Sequence, residues 1–177
     1  MMRLIQLGLL LMAICAGGRV CAQPADEVPI GGVLREATLR GLNGPPRKLS
    51  EFLGRPLIIN VWASWCGPCR AEMASLERLA WLEESHDLTI IGISTDDYEE
   101  RALAALNDSN ATITHFIDSN LSMEKMLGAS RLPLTVLVAA DGRVLDRIYG
   151  AREWDGPAAL AHIERVLRRR PAETAAR

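Results

Sequence analysis

The segment Leu57-Ile58-Ile59-Asn60-Val61-Trp62-Ala63-Ser64-Trp65-Cys66-Gly67-Pro68-Cys69-Arg70-Ala71-Glu72-Met73 changes its hydrophobic period halfway along. Leu57 to Trp62 is an apolar run rich in branched and aromatic residues, the pattern of a central strand buried on both faces. From Pro68 onward the period becomes helical, with Met73, Leu76, Leu79 and Ala80 on one stripe. Arg70, Glu77, Arg78 and Glu84 fall mostly away from it. Trp65-Cys66-Gly67-Pro68-Cys69 therefore lies between a buried strand and the start of a helix.

That placement has chemical consequences. A helix start presents unpaired backbone N–H groups and the positive end of the dipole, so a thiolate there is stabilised. Lowering a cysteine pKa from about 8.5 to about 7 represents roughly 2 kcal/mol. It raises the thiolate fraction at pH 7 from roughly 3% to about half. Cys66 sits at that end and is the expected nucleophile. Cys69 follows one turn later, where a Cys66–Cys69 disulfide can close across the first turn. Pro68 fits that turn because its missing N–H is no loss there. In this reading Cys66 attacks a substrate disulfide, and Cys69 then attacks the Cys66 sulfur to release reduced substrate. The reverse sequence oxidises a substrate dithiol, and the redox potential sets the direction.

The rest of the chain frames this pair. Its 177 residues, 49% hydrophobic and 24% charged, fit one ordinary domain and are too apolar for a disordered chain. A net charge of -2 leaves no basic footprint, so no nucleic-acid partner is expected. Arg3 precedes an apolar run, Leu4 to Ala16, that is shorter than the about 20 residues of a membrane span. With the small-x-small Val20-Cys21-Ala22 behind it, residues 1–22 read as a signal peptide cut after Ala22. An uncleaved anchor is the alternative. Cleavage removes Cys15 and Cys21 and leaves Cys66 and Cys69 alone, a pair whose tiny loop constrains the unfolded chain very little. A zinc site needs a second ligand pair, which the remaining chain lacks, and no metal or other cofactor is expected. The expected organisation is a flexible lead-in over 23–32, a domain over 33–170 and a flexible tail over 171–177.

Within the domain, Asn43-Gly44 marks an early hairpin between Ala37–Arg40 and Arg47–Leu49. Strands are expected at Leu88–Ser94, Ile113–Ile117, Leu134–Ala139 and Arg143–Tyr149, the last two joined by Asp141-Gly142. Helices are expected at Glu99–Leu106, at Leu121–Leu127 ending in Gly128, and at Gly156–Arg169. Strands alternating with helices before a closing hairpin give an α/β sheet with one antiparallel end. Trp62 reads as core beneath the cysteines, Trp65 as exposed apolar surface beside Cys66, and Trp81 and Trp154 as packing residues.

The stretch from Asn60 to Met73 closely resembles the thioredoxin superfamily, and more narrowly the exported TlpA/ResA-like thiol-disulfide oxidoreductases of bacteria. A second mark is Arg131-Leu132-Pro133-Leu134-Thr135 before a strand, followed by Asp141-Gly142. The resemblance runs over roughly residues 33 to 168. It implies a three-layer α/β sandwich on a mixed central sheet, with an N-terminal β-hairpin and a strand–helix unit inserted over Ile113–Leu127. It further implies a cis peptide before Pro133 and a substrate segment bound along Trp65, Gly67, Pro68, Leu132 and Pro133. A proline that merely starts an edge strand is the alternative there.

Two departures from minimal thioredoxins matter. Asn60 stands where they carry a buried aspartate, and asparagine does not titrate. Glu72 matches a glutamate of the ResA-like branch and shares a helix face with Cys69, so it is a candidate proton acceptor. An ordinary helix acid favoured by the dipole is the alternative. The resemblance implies a periplasmic, monomeric enzyme acting on protein disulfides or dithiols, fed by a membrane electron donor of the DsbD/CcdA type. Cytochrome c-type biogenesis is a common task in that group, although the loop that supports it is not evident. Gly67-Pro68 leans toward a reducing couple. The rival readings are a disulfide oxidant or isomerase, and a substrate-binding chaperone without turnover.

Overall fold

In the computed structural model, which describes residues 26–82 and 87–168, the chain alternates strands and helices around one sheet. The strands are β1 (Thr38–Gly41), β2 (Arg47–Lys48), β3 (Leu57–Trp62), β4 (Thr89–Ser94), β5 (Thr114–Ile117), β6 (Leu134–Val138) and β7 (Val144–Tyr149). The helices are α1 (Gly67–Trp81), α2 (Glu99–Ser109), α3 (Ser122–Leu127) and α4 (Pro157–Arg168), with a 3-10 turn at Leu49–Phe52. The expected signal peptide, the tail over 171–177, and Glu84, His86 and Arg169 lie outside the described residues. Among the described residues, no helix is long and apolar enough to cross a membrane.

The sheet order is β2-β1-β5-β4-β3-β6-β7. β4 runs parallel to β3 and β5, while β6, β7 and the β1–β2 hairpin join antiparallel. The hairpin expected around Asn43-Gly44 pairs Thr38 with Lys48 and Leu39 with Arg47. The expected strand–helix unit forms β5 and α3, and β5 sits between β4 and the hairpin. Asp141-Gly142 closes the β6–β7 hairpin with Gly142 at φ +85, a conformation glycine adopts without strain.

All six residues of β3 are buried, which places it in the middle layer. Alternation along the strand divides them. Leu57, Ile59 and Val61 face a core with Phe52, Met123, Met126 and Leu127. Ile58 faces Leu76, Leu79 and Ile163, and Trp62 faces Cys66, Cys69, Met73 and Ala105. α1, α2 and α4 thus cover one side of the sheet, while α3 and the N-terminal segment cover the other. Each fully buried aliphatic side chain in these layers contributes about 1.5–3 kcal/mol.

Two expectations need correction. The lead-in, read as flexible over 23–32, is held to the domain from Asp26 onward. Val28 is buried and its N–H donates to Met126 O, while Gly31 N–H donates to Val144 O. The nearly buried Arg147 side chain adds bonds to Leu127 O and Val28 O and an ion pair with Glu27. Polar composition hid this because the anchors are backbone groups and one distant arginine. Trp81, read as a packing residue, is 74% exposed. It ends α1 two residues beyond Leu79, turned off the apolar stripe, and its indole N–H donates to Thr112 Oγ1.

Candidate active site

Cys66 is the N-cap of α1, with Pro68 in the first turn. Its sulfur accepts the backbone N–H of Cys69 at 3.2 Å. The Cys66–Cys69 disulfide is closed, with S–S 2.02 Å and the Cα atoms 5.3 Å apart. Cys66 keeps a small opening to solvent at 6% exposure and Cys69 has none. An incoming sulfur therefore meets Cys66 first. Trp65 beside it is 70% exposed, and Gly67 and Pro68 lie on the exposed tip of the helix.

The strap from Trp62 to Cys66 is fixed from below. Asp96, 1% exposed in the loop after β4, accepts both the backbone N–H of Ser64 at 2.8 Å and its hydroxyl at 2.6 Å. Ser94 Oγ donates to the same carboxylate at 2.8 Å. Three donors offset the cost of burying that carboxylate. The sequence reading missed Asp96, which no spacing rule connects to the cysteines.

Opposite the helix tip, the Leu132-Pro133 peptide is cis, as the resemblance implies. Leu132 packs, partly buried, against the cluster that contains Cys66 and Cys69. Pro133 is buried, and its carbonyl accepts Gly150 N–H at 2.9 Å. The chain thus brings the two cysteines and Leu132 together and leaves Trp65 standing out beside them.

One turn behind Cys69, Glu72 is 2% exposed, which is unlike a solvated helix acid. Its Oε1 accepts from Asn60 Nδ2 at 2.8 Å. Its Oε2 accepts from Trp154 Nε1 at 2.9 Å and from the Arg152 backbone N–H at 3.1 Å. Burial holds the Glu72 carboxyl above the usual carboxylate range, against the opposing pull of those bonds and of the Arg152 charge. Trp154 is also core, 1% exposed, so its reading as a packing residue covers only part of its position.

Asn60 belongs to a row that crosses the sheet, with Thr135, Asn60, Gly92 and His115 side by side on β6, β3, β4 and β5. Asn60 Nδ2 also donates to Thr135 Oγ1 at 3.1 Å. Gly92 makes room for its neighbour, since a Cβ there would lie 2.0 Å from His115 Nδ1. The His115 ring reaches across it to accept the Trp62 indole N–H at 3.1 Å. Burial alone pushes His115 down to about 4, so the ring is neutral at pH 7.

A dithiol at a helix N-terminus beside a cis-proline loop is built for thiol–disulfide exchange. Residues 26–167 match the Redoxin family model. The chain belongs to the Redoxin family. Within it, the chain is 33% identical over 135 residues to the thiol:disulfide interchange protein DsbE of Vibrio cholerae, covering 73% of this chain and 71% of that protein. It is 25% identical over 125 residues to the thiol-disulfide oxidoreductase ResA of Bacillus thuringiensis, covering 71% and 72%. Among solved structures, a Chlorobium tepidum chain assigned as a thiol:disulfide interchange protein DsbE superposes with TM-score 0.72 at 24% identity, over 79% of this chain and 99% of that one. A thioredoxin domain of a Bacteroides vulgatus thiol-disulfide oxidoreductase superposes with TM-score 0.66 at 21% identity, over 79% and 99%. The fold is thioredoxin-like, and this Redoxin-family chain is a thiol-disulfide oxidoreductase of DsbE/ResA type with Cys66 and Cys69 as its dithiol pair.

Proposed function

We propose that the protein reduces disulfides of exported proteins in the periplasm, with Cys66 as nucleophile, Cys69 as resolving thiol and Glu72 as proton acceptor. The observation that carries this reading is the cap, in which Cys66 Sγ accepts the Cys69 amide at the start of α1. In the reduced protein that amide and the helix dipole favour the Cys66 thiolate. The thiolate attacks one sulfur of the substrate disulfide. A Cys66–substrate bond forms, and the other substrate sulfur leaves as a thiolate that takes a proton from solvent. Cys69 then gives its proton to the Glu72 carboxylate and attacks Cys66 Sγ. The Cys66–Cys69 bond forms, the second substrate thiolate leaves, and Glu72 returns the proton to it. Two electrons and two protons have passed to the substrate.

The buried carboxylate supports the proton-acceptor role, because an acceptor held above the usual range is well matched to a thiol proton. The substrate chain lies along Trp65, Gly67 and Pro68 on one side and Leu132 and Pro133 on the other, with Leu132 backbone groups pairing to it as an added strand. Oxidised protein is recharged by a membrane dithiol donor of the DsbD/CcdA type. The apolar run Leu4–Ala16 and the Val20-Cys21-Ala22 site support export with cleavage after Ala22. The working domain then spans 33–170, with residues 26–32 of the lead-in packed against it.

Insulin reduction with dithiothreitol as the donor tests the reading. Cys66→Ser abolishes turnover, and Cys69→Ser accumulates a mixed disulfide through Cys66. Turnover retained in Cys66→Ser contradicts the assignment of the nucleophile. A wild-type protein that binds unfolded clients without turning them over contradicts the enzyme in favour of a chaperone.

A further inference from the structure

The loop between β7 and α4 reaches back over the middle of α1, and two side chains of the helix tie it down. Ser75 Oγ accepts the Trp154 backbone N–H at 3.0 Å and lies 3.2 Å from Arg152 O. Glu72 Oε2 accepts both the Arg152 backbone N–H and the Trp154 indole N–H. The indole itself is 1% exposed and packs with Leu76, Leu79 and Ile163. It is a rigid donor with two side-chain torsions, both fixed by that packing.

The two carboxylate oxygens are therefore held from opposite sides. Asn60 on β3 donates to Oε1, and Trp154 donates to Oε2. Asn60 engages Glu72 as a donor, and among the described residues its own Oδ1 is buried with no hydrogen-bond partner. An indole N–H is a donor under all conditions and never an acceptor. Neither partner gains or loses a proton. Glu72 is thus the only titrating member of the triad.

We propose that Trp154 is a positioning residue for the exchange reaction. Its indole N–H orients the Glu72 carboxylate, and the bond favours the ionised form that receives the Cys69 proton. The inference rests on the proton-acceptor role given to Glu72 above and adds what tunes that role. Among the described residues, Arg152 supplies the charge that acts on Glu72. Arg152 comes from the same loop, the Cys66 and Cys69 thiols start its own helix, and the Arg78–Glu153–Asp155 cluster ties the outer edge of the loop to α1. Asn60 and Thr135 from the sheet are neutral. Trp154→Phe alters none of these charges. It removes one donor and keeps most of the ring.

The test is the pH profile of insulin reduction by the full chain from pH 4 to 9, for wild type, Trp154→Phe, Glu72→Gln and the double variant. Glu72→Gln removes one inflection of the wild-type profile. Trp154→Phe moves that inflection upward by about one pH unit, the size expected for losing a hydrogen bond to a charged group. The double variant matches Glu72→Gln. If Trp154→Phe lowers the melting temperature while the inflection stays in place, the residue is only packing and the inference is overturned. If Glu72→Gln leaves the profile unchanged, the proton role itself fails and the inference falls with it. Should Trp154→Phe not fold, the indole N–H resonances of the wild-type protein decide. One of the four tryptophans must titrate with the Glu72 inflection and lose that titration in Glu72→Gln. Four indole resonances unaffected by that substitution overturn the inference.

Discussion

The Asn60 side-chain amide donates to the Glu72 carboxylate at 2.8 Å, joining the central strand to the helix that carries the dithiol. A side chain that does not titrate thus supports a buried glutamate one helical turn from Cys69. In the proposed mechanism the proton is handled on the helix, and the sheet supplies a neutral donor beside it.

The raised Glu72 carboxyl has a consequence for stability. Its proton is held more tightly in the folded state than in the unfolded one. The contribution is fully present below the unfolded value of about 4.5 and is lost as pH rises through the folded value. Wild-type stability therefore falls across that window, and Glu72→Gln removes the fall. Chemical denaturation of oxidised protein at several pH values above 4.5 checks this. An unchanged slope in Glu72→Gln contradicts it.

His115 acts in the opposite direction. Burial lowers it from 6.5 to about 4, so the unfolded chain takes up a proton that the fold refuses. The neutral ring contributes stability that is complete above 6.5 and is lost as pH falls through 4. That linkage is worth about 3 kcal/mol at most. His115→Gln, which keeps an acceptor for the Trp62 indole, flattens the acid limb of the melting-temperature profile. An acid limb as steep as that of wild type rejects the assignment.

Asp96 clamps Ser64, two residues before Cys66. Asp96→Ala removes both acceptor oxygens and leaves the Ser64 N–H without its partner. The expected cost is about 1–3 kcal/mol, with slower alkylation of reduced Cys66 because the strap is no longer fixed. Urea titration and iodoacetamide kinetics read the two effects. Alkylation at the wild-type rate restricts Asp96 to stability.

Gly92 is required by its neighbour. A methyl group there runs into the His115 ring, so Gly92→Ala costs about 1–3 kcal/mol or more. In the His115→Ala background the same substitution is far cheaper, and a double-mutant cycle measures the difference. Equal costs in both backgrounds place the strain elsewhere.

Much of the architecture was legible in the sequence because each element carries its own period. The switch at Trp65–Pro68 places the dithiol, Asn43-Gly44 and Asp141-Gly142 mark the two hairpins, and Gly128 ends α3 where expected. The layer below the dithiol was not legible. Trp154, Asp96, Gly92 and His115 act through contacts between distant positions, such as Glu72 and Trp154, 82 positions apart, and no local pattern marks such pairs. The packed lead-in was hidden for the same reason, since its anchor is Arg147, 119 residues from Val28.

The equilibrium reduction potential of the Cys66–Cys69 couple against glutathione tests the central claim most directly. A reductase fed from the membrane requires a value near that of thioredoxin, roughly −270 mV. A value near roughly −120 mV would mark an oxidant and contradict the account.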